Sequence, residues 1–227
     1  MPDDRIATGP RAAAPGGQIP VSANNPCPFL RALVANGYVD GHAVPLSKLS
    51  ELIGLASGET GSAQKDVRMK TWLVAVIANG LGPLRVLKSA TSGAELDELR
   101  DGPLDKHGGG SRILDVDAKV HEDEIARLAG FGNDRKDPDG GIERGLTASE
   151  IDTFMKANLK RDGDKARWYY PMLMKGEWPV LLKILGKGRG SERYLSVAEV
   201  RTLFVERRLP ERITARLPKP ATRLDLT

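Results

Sequence analysis

Three times along this chain a Ser or Thr is followed three residues later by a Glu and then by an apolar stripe at helical spacing. The pairs are Ser92 with Glu95, Thr147 with Glu150 and Ser196 with Glu199. A hydroxyl just ahead of a helix and a Glu three residues on satisfy each other's end groups, so each pair marks a helix start. The first predicts a helix over Leu96 and Leu99. The second predicts one carrying Ile151, Phe154 and Met155 on one face, and the third one carrying Val197, Val200, Leu203 and Phe204. Pro28 suits a first helical position, and Phe29, Leu30, Leu33 and Val34 recur behind it until Gly37 suits the cap. Residues 46–56, 65–78, roughly 120–129 and 178–185 are helix-like by period. No sustained alternation marks a strand and no Asn-Gly marks a hairpin. The fold class expected is therefore all-α, one helical domain over 25–212. Residues 1–24, rich in Ala, Pro and Gly, read as an arm, flexible or draped over the surface. Residues 213–227 read as a tail, and the Gly/Asp-rich stretches 102–111 and 131–145 as exposed loops.

The chain of 227 residues can bury one substantial core. Its 34 Lys and Arg are interleaved with 30 Asp and Glu, giving a net charge of only +4. That mixture reads as a solvated surface and argues against a nucleic-acid partner. The longest apolar run, 72–78, is far too short to cross a bilayer, and the N-terminus has no apolar signal region. The expectation is a cytoplasmic protein with no membrane partner and an unspecified oligomeric state. A single cysteine excludes an intramolecular disulfide and a Cys-rich zinc site.

That cysteine, Cys27, stands between Pro26 and Pro28. The prolines stiffen the backbone on both sides, and the sulfur precedes a helix N-terminus. Unsatisfied N–H groups and the positive end of the dipole there favour thiolate over thiol. A rigid thiolate with donors aimed at it suits an iron ligand, and it suits a nucleophile as well.

The run Pro26-Cys27-Pro28-Phe29-Leu30-Arg31-Ala32-Leu33-Val34-Ala35-Asn36-Gly37-Tyr38 resembles the signature of the haem-thiolate peroxidases, the chloroperoxidase and unspecific peroxygenase family. Later segments follow in the same order. Leu104-Asp105-Lys106-His107-Gly108 is similar to the family's His-Gly turn, and Asp115-Val116-Asp117-Ala118-Lys119 stands where the family has Glu, His or Gly, Asp, any residue and Ser. Tyr194 to Pro210 looks like its closing helix. The resemblance spans roughly 26–212 and implies an all-helical domain around one haem b, with Cys27 as proximal ligand framed by Pro26 and Pro28. It implies hydrogen peroxide as oxidant and an organic substrate or halide.

Two departures matter. Asp115 and Lys119 replace residues that hold a divalent cation, Mg or Mn, against a haem propionate, and an ammonium repels such a cation. Lys119 is then expected to neutralise the propionate itself. Asp115 would hold it by an i,i+4 ion pair if the segment is helical. For moving a proton between peroxide oxygens, Glu177 is the expected acid–base, beside Trp178 and Met174, with His121 and Arg167 as helpers. Met172, Met174, Leu181 and Leu182 are the expected pocket lining. The rewritten 115–119 motif leaves room for a haem-binding sensor or biosynthetic partner without turnover, and a helical interaction module without haem is a third reading. Asp137-Pro138-Asp139-Gly140-Gly141 fails as a calcium loop because Arg135 and Leu146 fall on its end-ligand positions. The glycines of 186–190 lack a phosphate-loop ending, and His42, His107 and His121 are not spaced for zinc.

Overall fold

Helix α1 (Pro28–Ala35) is bounded by its own sequence. Pro28 occupies the first helical position. At the far end Gly37 takes φ 75°, its N–H bonds the Val34 carbonyl at 3.0 Å, and the Tyr38 N–H bonds that of Leu33 at 3.0 Å. This double bond closes the helix and demands a residue free to adopt positive φ. The computed structural model describes residues 17–78, 93–100, 111–163 and 181–220.

Strand β1 (Ala43–Val44) leads into helices α2 (Leu46–Ala56) and α3 (Gly61–Ala78), which pack on each other. Strand β2 (Ala94–Glu95) returns to pair antiparallel with β1. Then follow α4 (Glu122–Phe131), the hairpin β3 (Asn133–Lys136) and β4 (Ile142–Thr147), and α5 (Ala148–Asp162). Residues 181–185 are helical. They run into β5 (Gly186–Lys187), β6 (Tyr194–Ser196), α6 (Val197–Phe204) and the short α7 (Glu211–Thr214). The four later strands form one antiparallel sheet in the order β3-β4-β6-β5. Leu33, Leu96, Leu128, Leu146, Phe154, Leu195, Leu203 and Ile213 are all at most 1% exposed, so one core joins α1, the sheet and the helices around it.

The all-α expectation is thus overturned: the chain is mixed α and β, with a two-stranded and a four-stranded sheet. The strands escape a periodicity reading for physical reasons. β3 is Asn-Asp-Arg-Lys with no buried side chain, and only Gly145 and Leu146 of β4 are buried. β5 has two residues, and β6 is buried at all three of its positions, so no polar face alternates. Residues 131–145, expected as loop, are mostly this hairpin. Its turn is the acidic segment, where the Gly140 N–H bonds the Asp137 carbonyl at 2.9 Å and Gly140 takes φ 94°.

The capping pairs divide. The Glu150 carboxylate accepts from the Thr147 N–H at 2.7 Å and from its hydroxyl at 2.9 Å, starting α5 as expected. The Ser196 hydroxyl accepts from the Glu199 N–H and starts α6. Glu95 lies in β2 instead of a helix, because its backbone pairs with Ala43; Ser92 is outside the described residues. The packed body is also wider than 25–212. The Ile19 N–H bonds the Ala35 carbonyl at 2.9 Å and Val21 is buried, so residues 17–24 drape over α1. Ile213 is fully buried at the other end.

Candidate functional site

Asn25 begins the site. Its Oδ1 accepts from the Cys27 N–H at 3.2 Å, an Asx turn that Pro26 between them stiffens. Cys27 then has extended backbone at the N-cap of α1 and lies half-buried against the core. Pro28 brings no N–H, and the first intrahelical bond is made by Arg31 to the Cys27 carbonyl at 2.9 Å. The N–H groups of Phe29 and Leu30 therefore precede the helical ladder on the cysteine's side. Arg31 is buried and turns back from α1, donating through Nη1 to the carbonyls of Ser22 at 2.8 Å and Asn25 at 3.1 Å. The approach to Cys27 is fastened by its own helix. Asn25 is 1% exposed, and its Nδ2 has no hydrogen-bond acceptor among the described residues.

Arg100 brings the second motif to this segment. Its N–H bonds the Asn24 carbonyl at 2.9 Å, and its Nη2 donates to the carbonyls of Ala23 at 3.0 Å and Asp115 at 3.2 Å. The loop carrying Asp115 and the leader of Cys27, far apart in sequence, are held by one guanidinium.

That loop is not helical. The Asp115 N–H bonds the Lys119 carbonyl at 3.1 Å, Leu114 bridges Val120, and Ala118 takes φ 61°. Asp115 Oδ1 accepts from the N–H groups of Asp117 at 3.0 Å and Lys119 at 2.8 Å, and its Oδ2 lies 2.9 Å from His121 Nε2. The His121 bond, together with those two N–H groups, outweighs partial burial and holds the Asp115 carboxyl below its ordinary value. The expected Asp115–Lys119 side-chain pair is therefore corrected. Asp115 binds the Lys119 backbone and the His121 ring, while the Lys119 side chain is exposed with no ion pair among the described residues. Both carboxylate oxygens are engaged. Among the described residues no group of three or more His, Cys, Asp or Glu is placed to hold a metal ion.

Glu177, Arg167, Met172, Met174 and His107 lie outside the described residues. Leu182 is buried and Leu181 half-buried against the core. His42 stands apart, exposed, with its Nδ1 2.8 Å from Asp97. Sequence reasoning missed Asn25, Arg31 and Arg100. The Asn-Pro dipeptide ahead of Cys27 was a usable turn signal for the first, but nothing local marks Arg100.

It also missed a second polar centre on the sheet. Lys187 Nζ lies 2.7 Å from Glu143, 2.9 Å from Asp137 and 3.8 Å from Glu199. Glu143 further accepts from the Tyr194 hydroxyl at 2.8 Å and the Ser196 hydroxyl at 2.6 Å, and Arg212 binds Glu199 through two nitrogens. Burial pushes the Glu143 carboxyl up, but the Lys187 ammonium and the two hydroxyls outweigh it and the net shift is down. Burial likewise pulls Lys187 down while Glu143 and Asp137 raise it further, so it stays charged. Every charge in the centre has an internal partner, and it joins β4, β5 and β6 to α6 and α7. It borders an open cleft of about 1010 Å3 whose lining also includes Glu59, Arg193 and Arg216. Arg193 is paired to Glu59 at 3.0 Å, and Arg216 donates to the Ala56 carbonyl at the end of α2 at 3.1 Å. These bonds tie the walls of the cleft to one another.

Among the described residues no helix is long and apolar enough to cross a membrane. Comparison of the chain with known protein families, curated proteins and solved structures finds no match.

Proposed function

We propose that this chain is a haem-thiolate peroxidase or peroxygenase, with Cys27 as the sulfur ligand to a b-type haem and hydrogen peroxide as oxidant. The observation that carries the reading is the Arg100 clamp, which sets the Asp115 loop beside the leader of Cys27. The residues present fit the group in three respects. Cys27 is half-buried at a helix N-terminus, and among the described residues Asn25 Nδ2, two residues away, has no acceptor and the Lys119 ammonium no carboxylate partner.

When bound, the haem iron activates peroxide, and a thiolate ligand favours O–O cleavage. Pro26 and Pro28 hold the Cys27 sulfur in place, and the Phe29 and Leu30 N–H groups stabilise its negative charge. Lys119 would neutralise a propionate in place of a divalent cation, because the Asp115 carboxylate is spent on His121 and two backbone N–H groups. Glu177 is assigned, from sequence, to carry the proton from one peroxide oxygen to the other.

The test is optical. Protein reconstituted with haemin and reduced under carbon monoxide should show the strongly red-shifted Soret band of thiolate-ligated iron, and Cys27→Ala should lose it. An unchanged band in Cys27→Ala overturns the ligand assignment. Glu177→Gln should keep the band and lose peroxide-driven dye oxidation. The engaged Asp115 carboxylate favours a second reading, a haem-binding protein without turnover. A thiolate spectrum in the wild type without any peroxide-driven oxidation would select it.

A further inference from the structure

Helix α3 carries apolar side chains on its exposed sides as well as on its buried one. Val67 and Thr71, one turn apart, are buried against α2, and Ala75 follows them half-buried. The solvent-exposed sides carry large apolar side chains. Met69 is 64% exposed, Leu73 53%, Trp72 47% and Val74 41%, and these account for most of the large exposed hydrophobics among the described residues. Met69, Trp72 and Leu73 stand at i, i+3 and i+4 and so share one outward stripe.

The borders of the stripe are basic. Lys65, Arg68 and Lys70 are all exposed. The helix contains a single carboxylate, Asp66, and it is spent between Lys70 at 3.0 Å and Lys183 at 3.4 Å. From Val67 to Ala78 the helix holds no Asp or Glu, while Arg68 and Lys70 fall within it. A surface evolved only for solubility intersperses both signs.

We propose that the outward face of α3 lies on anionic lipid bilayers, with Met69, Trp72 and Leu73 entering the headgroup boundary and Lys65, Arg68 and Lys70 meeting lipid phosphates. Trp is suited to that boundary, and long basic side chains bury their stems while their charges stay with the headgroups. Charge complementarity selects this occupant over a second copy, since two like faces would oppose their basic rims. The size of the stripe agrees, because a stable protein interface engages about 20–30 residues a side. The inference stands independently of the haem reading.

Co-sedimentation with vesicles tests it, using phosphatidylcholine alone and phosphatidylcholine containing about one-third phosphatidylglycerol. The full chain should bind the anionic vesicles and be released by salt. Lys65→Gln with Lys70→Gln should weaken anionic binding by roughly fivefold per charge. Leu73→Glu should abolish binding at unchanged circular dichroism. If Leu73→Glu fails to fold, Leu73→Ser serves, with a loss of about tenfold expected. Absence of sedimentation, equal binding to neutral vesicles, or binding unaffected at Leu73 overturns the proposal. So does a dimer in light scattering that Leu73→Glu dissociates, which assigns the face to a second copy.

Discussion

Arg100 donates to the main-chain carbonyl of Asp115 at 3.2 Å from the same nitrogen that holds Ala23 at 3.0 Å. Two turns that share no secondary structure are thereby held at a fixed separation. Because the acceptors are carbonyls and the donor is charged, Arg100→Ala should cost about 2 kcal/mol, read as a lower urea midpoint. Arg100→Lys should restore part of it, since both carbonyls are held from one nitrogen and an ammonium can also donate twice, on a shorter stem. Haemin affinity should fall in both variants, while Cys27→Ala alone removes the thiolate spectrum.

The pH profile of stability should be a plateau with two limbs of different origin. The carboxyls of Asp115, Asp137, Glu124 and Glu143 are held below their ordinary values. For Glu124 the cause is the hydrogen bond from Arg161; for Asp137 it is that from Lys187. Their contribution is present above the unfolded carboxylate range near pH 4 and is lost as pH falls through the lower folded values. Lys187 and Tyr194 are shifted the other way, Tyr194 by burial and by the Glu143 carboxylate beside its hydroxyl. What they contribute is present below about pH 10 and lost as pH rises through the higher folded values. Thermal melts across pH should show both limbs, and Glu143→Gln should shrink each of them.

Gly145 is required by contact and not by conformation. A Cβ there would stand 2.3 Å from the Tyr194 ring, so the ring has to move. Moving it separates the Tyr194 hydroxyl from Glu143. Gly145→Ala should destabilise by about 3 kcal/mol, the upper end for overpacking, and Tyr194→Leu in the same chain should recover part of the loss. Chemical denaturation of the two variants checks this.

Glu150 does more than start a helix. Its carboxylate takes the Thr147 N–H and hydroxyl, Arg135 Nη2 at 2.6 Å and the Asn133 amide. Glu150→Ala should therefore cost about 2 kcal/mol, beyond a simple cap, and raise hydrogen exchange in β3. Thr147→Ala should cost about 1 kcal/mol and leave β3 protected.

What was legible in the sequence was whatever a helix writes locally. Pro28 and Gly37 bound α1, the period gave α2 from Leu46 to Ala56, and Thr147 and Ser196 started α5 and α6. The sheet was illegible because its cohesion is long-range: Glu143 holds Tyr194 and Ser196 some fifty residues away, and β3 buries nothing. Within the site, Cys27 and Asp115 were visible as motif residues. Their connection was not, because Arg100 reaches carbonyls, which carry no sequence identity. The apolar run beginning at Trp72 was correctly too short to span a bilayer; its outward stripe on α3 depends on which side faces α2, and only packing decides that.

Asn36, at the end of α1, donates from Nδ2 to the carbonyl of Ala32 and to that of Arg207, both at 2.7 Å. Gln18 reaches the Glu206 carbonyl at 2.9 Å from the same side. During synthesis the helix behind Cys27 thus precedes the residues that seat it, since Arg207 follows Asn36 by 171 positions. The cysteine's surroundings are completed only when translation has passed Arg207, so a ligand that needs them is taken up after that point. Ribosome-stalled chains ending before Glu206 would carry the motif without its seat.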